Sequence, residues 1–379
     1  MKNKYTCIDL FAGVGGLSYG FSKLHEFNIV AANEIEKDIS IAYTLNHPNV
    51  KMMNCNINEL TKEKLDNILE KQSIDLVVGG PPCQSYSTLG KRQMDERANL
   101  FMQYKRVLDI LEPKAFVFEN VVGLLSMDKG RLFLKIQKEF SDLGYNLKHK
   151  VLDAADYGVP QHRERVILVG FKGKNPYQFP PKTHGEELGL KPYVKLKEAI
   201  GDLPVLKSGE SSSDYVPNPN NEFLKFVCRN GKLTEHTAPK NGAHLIKIME
   251  ALKDGESKDD LPENIRPKSG YGNTYAKLWW NKPSTTITRN FACPSSSRCI
   301  HPRDSRAMSI REGARLQSFP DDYIFYGADG MKRLEIGNAV PPLLSCAIAK
   351  QMLIAMNAEH KNEEYHVDST TSVPELFLF

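Results

Sequence analysis

Between Tyr5 and Phe171 short apolar runs alternate with stretches of helical periodicity, and nothing else in the chain limits its fold as strongly. "YTCIDLF", "FNIVAANEI", "SIDLVVGG", "AFVFENV" and "RVILVGF" read as buried strands. "GLSYGFSKL" opens a helix, and "FMQYKRVLDILEP" and "LFLKIQKEFSDLGY" carry helical spacing. Strands separated by helices predict a parallel sheet joined by βαβ crossovers. In open sheets of this kind ligands bind beyond the carboxyl ends of the strands. Both "GGPPC" and "FENV" fall at such ends.

Past about Gly170 the texture changes. "GKNPYQFPPKTHG", "LKSGESSSDYVPNPNN" and "KDGESKDDLPENIRPKSG" are rich in Pro, Gly, Ser and charge, which predicts a loop-rich second domain. Regularity returns with "SIREGARLQSF", read as a helix, and "PPLLSCAIAKQMLIAM", an apolar helix opened by prolines. A net charge of +4 is compatible with nucleic acid but does not argue for it alone. The seven cysteines are scattered with no CxxC pair, so neither a disulfide framework nor a zinc ribbon is expected. Cys293, Cys299 and His301 lie close in sequence but lack an evident fourth ligand, and no metal is expected. No run is long enough for a bilayer span, and the expected setting is a reducing cytoplasm.

Several motifs carry chemistry, each with a plainer alternative. "DLFAGVGGLSYGF" sets glycines between a strand and a helix, where the backbone can approach a ligand that a Cβ would block. Its spacing is GxGG, not the dinucleotide fingerprint GxGxxG, and glycine turns also serve packing alone. "NEIEK" places Glu34 at the end of the second strand, where an acid commonly holds a ribose hydroxyl pair. Cys83 in "GGPPCQSYS" follows two prolines at a strand end; a lone cysteine there is by default a buried, inert thiol. Glu119 in "FENV" ends the neighbouring strand, and a carboxyl group at an apolar strand end is costly without a task or a partner. "QHRERV" offers Arg163 and Arg165, which on one strand share a face and a cleft; a surface ion pair with Glu164 is the plainer reading.

Taken together, "DLFAGVGGLSYGF", "NEIEK", "GGPPCQSYS", "FENV", "QHRERV", "REGARLQSFPDDY" and "GNAVPPLL" closely resemble, in order and spacing, the C5-cytosine DNA methyltransferase family of the bacterial restriction-modification type. The likeness covers roughly Tyr5 to Met356 apart from the central region. It implies an α/β fold: a Rossmann-like S-adenosylmethionine-dependent methyltransferase domain with a smaller loop-rich target recognition domain. The expected boundaries are residues 1–172, completed by 328–360, for catalysis and cofactor binding. Residues 173–327 would recognise the target, and 361–379 form a tail.

The resemblance also implies roles. Cys83 would attack C6 of a cytosine flipped out of double-stranded DNA, Glu119 would hold the base at N3, and Arg163 and Arg165 would steady it and favour the thiolate. Phe11, Gly13, Val14, Gly15 and Gly16 would hold the methionine and adenosine portions of S-adenosyl-L-methionine. Glu34 would take the ribose hydroxyls with Ile35 against the adenine. Ile57, Pro82, Leu100, Asn338 and Ala339 would complete the cofactor site. The family's "GDI" acid is here "CNI" with Asn56, whose amide oxygen can still accept the adenine hydrogen bond. The loop after Cys83 would close over the DNA. The protein is expected to act as a monomer with no membrane, and any companion restriction endonuclease would work independently. Two alternatives stay open: a tRNA cytosine-5 methyltransferase on the same fold, and a non-catalytic DNA-binding relative.

Overall fold

The computed structural model describes residues 4–82, 100–215, 220–228, 233–268 and 273–363, the last five by backbone alone. Cys83, the loop after it as far as Asn99 and the tail beyond Glu363 lie outside the described residues. The chain divides into two compact units. One draws on Met1–Asp153, Glu164–Pro181 and Leu344–Pro374, the other on Ala154–Arg163 and Lys182–Leu343.

The first unit is built on a seven-stranded sheet. Its strands are β1 (Tyr5–Leu10), β2 (Phe27–Asn33), β3 (Lys51–Met53), β4 (Leu76–Gly79), β5 (Ala115–Val121), β6 (Tyr145–Asp153) and β7 (Glu164–Lys172). Their spatial order is β3-β2-β1-β4-β5-β7-β6. The helices α1 (Gly16–Ser22), α2 (Lys37–Asn46), α3 (Lys62–Ile68), α4 (Leu100–Leu111) and α5 (Arg131–Ser141) connect successive strands. Strands β1 to β5 pair in parallel, as expected. The wholly parallel sheet does not hold, because β7 runs antiparallel to both β5 and β6. Antiparallel β6 and β7 need only a short return between them, whereas a parallel pair would require a crossover of a dozen residues or more.

Apolar strand residues explain why this sheet is central. Ile8, Leu10, Val77, Phe116, Phe118, Val166 and Leu168 are fully buried in one cluster with Tyr104 from α4 and Phe140 from α5. The Tyr104 hydroxyl donates to the carbonyl oxygens of Val77 and Val117, so its polar end is satisfied inside the core. At the far end of the chain Ser345 accepts from the Gly20 amide at 3.0 Å and donates to the Leu17 carbonyl, tying the C-terminal segment to α1. A Cβ on Gly20 would overlap the Ser345 backbone, so glycine is what lets the two segments approach.

The second unit is assembled from α6 (Leu196–Ile200), α7 (Glu222–Val227), α8 (Ala243–Ala251), the two-stranded parallel sheet β8 (Ala276–Lys277) and β9 (Arg298–Ile300), α9 (Ile310–Leu316) and α10 (Asp329–Asn338). Buried charge, as well as apolar packing, holds it. Arg306 grips Glu312 through two hydrogen bonds of 2.7 and 2.8 Å. Burial alone would raise the Glu312 carboxyl, but Arg306 more than reverses this and holds it far below the usual carboxylate range. Arg315 pairs with Asp202 and Asp321. Arg311 donates to the Thr234 side chain and to the Pro320 carbonyl. The last helix, α11 (Pro342–Glu363), begins at the second of two prolines, opened by proline as expected. The stretch Asp329–Ala358 has the length and hydropathy of a membrane span, but 61% of its apolar window is buried, as in a core helix.

Candidate active site

The chain leaves β1 through backbone that side chains seldom adopt. Phe11 has φ 56°, Gly13 φ 55° and Gly15 φ 93°. A non-glycine residue at positive φ is strained and persists where the surroundings impose it. Here the Ala12 amide donates to Asn33 of β2, and the Gly15 amide turns back to the Ala12 carbonyl. A Cβ on Gly13 would meet no atom within 4 Å, so this glycine serves the turn and leaves open space beside it. Val14 is buried at 1% exposure, and Gly16 starts α1 with its backbone buried.

Glu34 follows β2 and faces this turn. Its Oε2 accepts from the Gly13 amide and its Oε1 from the Glu36 amide, each at 2.9 Å. Burial pushes its carboxyl pKa up, against the pull of the backbone amides of Glu36, Gly13 and Ile35. The loop is fixed from outside by Asn54, whose amide donates to the carbonyls of Glu34 and Ile35. Ile35 is 58% exposed, an apolar face open to a flat ligand. Asn56 is exposed, and its Oδ1 accepts from the Asn58 amide at 3.0 Å as a helix cap. The side chain of Ile57 is buried in the core cluster, and its carbonyl accepts from Arg106. Leu100 opens α4 and packs against the same cluster. Asn54 and Arg106 were not foreseen from sequence; each looks like an ordinary polar surface residue until its carbonyl partners are known.

A second constellation lies at the ends of β4 and β5. Glu119 Oε1 accepts from Arg165 Nε at 2.8 Å, with only 11% and 12% of the two side chains exposed. Val121 pairs with Arg165 across the antiparallel register, which brings the arginine to the end of β5. A Cβ on Gly80 would sit 2.7 Å from Glu119 Oε2, so glycine leaves the room the carboxylate occupies. The next motif residue, Asn120, donates to the Pro81 carbonyl at 2.9 Å. Thus the "ENV" strand end holds the Gly80–Pro82 segment that runs directly into Cys83. Pro82 is exposed. Glu34 and Glu119 end strands three places apart in the order β2-β1-β4-β5, about 14 Å at ordinary strand spacing.

The "QHRERV" motif divides. Strand β7 begins at Glu164, so the alternation expected to set Arg163 and Arg165 on one face does not reach Arg163. The Arg163 guanidinium, 1% exposed, donates to the carbonyls of Ile287 and Gly337 in the second unit. Gln161 likewise donates to Leu316 and Gln317 and accepts from the Ile287 amide. Asn338 ends α10 with its side chain exposed, and Ala339 follows as the cap.

A sheet of this order, with a glycine turn after one strand and an acid after its neighbour, is the Rossmann-like arrangement expected of the methyltransferase domain. The family model for C-5 cytosine-specific DNA methylases matches residues 5–353, and the chain belongs to that family. It is 35% identical over 352 residues to the Type II methyltransferase M1.HphI of Haemophilus parahaemolyticus, covering 92% of this chain and 86% of the relative. It is 38% identical over 372 residues to M.DdeI of Desulfomicrobium norvegicum, covering 91% and 88%. The DNMT2 structure of Spodoptera frugiperda superposes with a TM-score of 0.60 over 92% of this chain and all of that one, at 17% identity, a likeness of fold alone. The protein is a DNA (cytosine-5)-methyltransferase, and its relatives are restriction-modification enzymes.

Proposed function

We propose that the protein transfers a methyl group from S-adenosylmethionine to C5 of a flipped-out cytosine in a specific duplex sequence, through a covalent bond between Cys83 and C6. The Glu119–Arg165 pair, cleared by Gly80 at the segment leading into Cys83, carries this reading. Cytosine C5 is a weak nucleophile, and thiolate addition at C6 makes an enamine of it. Glu119 hydrogen-bonds N3, where the displaced electron pair accumulates, and Arg165 fixes the carboxyl group at that position. S-Adenosylmethionine supplies the electrophilic methyl carbon. Removal of the C5 proton then returns its electrons to the ring, and the C5–C6 double bond re-forms as the thiolate leaves.

The cofactor fits the residues present. The open space at Gly13, the carboxylate of Glu34 and the exposed Ile35 offer room, hydroxyl acceptors and an apolar face respectively. Residues 173–327 read the DNA, the protein works as a cytoplasmic monomer, and any companion endonuclease acts separately.

A duplex with 5-fluorocytosine at the target tests the covalent route. Fluorine cannot leave as F⁺, so elimination stalls after methyl transfer and the protein stays bound through Cys83. The shifted band on a denaturing gel should need both cofactor and substituted DNA, vanish in Cys83→Ser and fade in Glu119→Gln. Absence of the band on a sequence whose normal counterpart is methylated would refute attack at C6. A band on tRNA alone would move the substrate from DNA to RNA.

A further inference from the structure

Asp9 stands in β1, two residues before the strained turn at Phe11, and none of the expected cofactor contacts uses it. Its side chain is sealed, with 1% of the residue exposed. Oδ2 accepts from the Ser18 hydroxyl at 2.6 Å, and Ser18 Oγ lies 2.8 Å from the Tyr43 hydroxyl. Oδ1 is equally inaccessible and has no hydrogen-bond partner among the described residues. Such an orphaned oxygen is uncommon in folded proteins and asks for a cause.

The surroundings offer no counter-charge. Ser18 reaches Asp9 from α1 and meets Tyr43 of α2 in turn; the other titratable groups that feel its charge are Tyr104 of α4, Cys7 on its own strand and Glu34 beyond β2. Its strand neighbours Ala32 and Val78 are apolar. Every one of these is neutral or negative, and among the described residues Asp9 joins no ion pair. Burial pushes its pKa up to about 7, with the Ser18 hydrogen bond pulling down and the Glu34 charge pushing up. An ionised carboxylate here is costly unless a positive charge arrives.

S-Adenosylmethionine brings that charge: its sulfonium is cationic, whereas the sulfur of the product S-adenosylhomocysteine is neutral. We propose that Asp9 is the titratable counter-charge of the cofactor site, holding a proton in the free protein and releasing it to solvent when the sulfonium-bearing cofactor binds at the Gly13–Gly16 turn. The Ser18 and Tyr43 hydroxyls, already in line, stabilise the carboxylate that forms. Once the methyl group has left, the sulfonium charge is gone, Asp9 regains a proton and the product is held less tightly. Asp9 is a positioning residue in this scheme and touches no reacting atom. The scheme rests on S-adenosylmethionine being the cofactor.

Linkage fixes the sign. Below the free-state pKa the cofactor must displace a proton to bind, so affinity rises with pH and levels off above that pKa. Isothermal titration with S-adenosylmethionine and S-adenosylhomocysteine between pH 5.5 and 8.5, in buffers of different ionisation heat, reads both affinity and proton release. The amino group titrates alike in both ligands, with a reference pKa of about 8, so the difference between them is the signal. For S-adenosylmethionine the dissociation constant should fall by up to about tenfold per pH unit between pH 5.5 and 7, with protons released. For S-adenosylhomocysteine the dependence should be markedly shallower.

Asp9→Asn should bind S-adenosylmethionine with the shallow dependence of the product and without the extra proton release. Ser18→Ala removes the hydrogen bond that lowers the Asp9 pKa, and should move the inflection to higher pH. Ser18→Ala keeps the test open if Asp9→Asn fails to fold. Equal pH profiles for the two ligands in the wild type would overturn the proposal, as would a wild-type profile in a folded Asp9→Asn or an unmoved inflection in Ser18→Ala. Failure of the wild type to bind S-adenosylmethionine at any pH would instead remove the cofactor reading beneath it.

Discussion

Glu34 and Gly80 show how a single side chain, or its absence, sets a site. Glu34 already receives two backbone amides, and each of its oxygens keeps a lone pair for a ligand hydroxyl. Glu34→Ala should weaken S-adenosylmethionine binding by about 1.5–3 kcal/mol, the worth of a hydrogen bond to a charged group, and leave DNA affinity without cofactor nearly unchanged. Calorimetry giving the wild-type dissociation constant would take Glu34 out of the cofactor site. Gly80→Ala acts on the other constellation. Its new methyl would press on Glu119 Oε2, which cannot swing away without loosening the contact with Arg165. Misplacing a reacting group by about 1 Å can cost on the order of a hundredfold in rate. The expected result is a kcat lower by about that factor with cofactor affinity intact. A kcat like that of the wild type would mean the Glu119 position is not critical.

At the scale of elements, the approach of α1 to the C-terminal segment rests on one missing methyl. Gly20→Ala gains about 1 kcal/mol of helix propensity, yet its Cβ would overlap main-chain atoms of Ser345, which cannot rotate out of the way. Overpacking typically costs 1–3 kcal/mol, and a backbone clash belongs at the upper end, so a net loss of about 2 kcal/mol is expected. Urea denaturation would show it as a lower midpoint, and an unchanged midpoint would contradict the close approach. The sequence revealed the elements with strong periodicity: β1, β2, β4, β5 and β7 all lie where their apolar runs predict. It did not reveal β3, only three residues long, or β6, whose "YNLKHKVLD" is polar because it lies at the sheet's edge. Strand direction was also hidden, since a buried run reads the same either way. At the site, Glu34 and Glu119 were legible because acids at apolar strand ends need an explanation. Asp9, Ser18 and Tyr43 were not, because their burial depends on three elements meeting.

At the scale of the whole molecule, reading of the DNA sequence should be separable from the chemistry. Exchanging residues 173–327 for the matching segment of a relative such as M.DdeI, 38% identical, tests this. Such a block carries its own buried charges, because Arg306 with Glu312, Arg315 with Asp202 and Asp321, and Arg311 with Thr234 all fall inside it. A smaller exchange that separated these partners would strand a buried charge, at about 3–5 kcal/mol. Several bonds crossing the block's edges use only backbone groups of the incoming segment. Arg163 donates to the backbone carbonyl of Ile287, Gln161 to that of Leu316, and the Ile287 amide donates back to Gln161. Any sequence that keeps the local backbone supplies those groups. Some crossing contacts do join two side chains: Gln161 with Gln317, Asp156 with Tyr193 and Lys182, and Lys332 with Glu235. The two ion pairs are partly exposed and so worth no more than about 1 kcal/mol each, and the exchanged block is to keep Tyr193 and Gln317. The hybrid should therefore fold, bind S-adenosylmethionine with the affinity of the parent, and methylate the donor's DNA sequence when bisulfite-treated DNA is read. Continued methylation of the parent's sequence by a folded hybrid would place recognition outside 173–327.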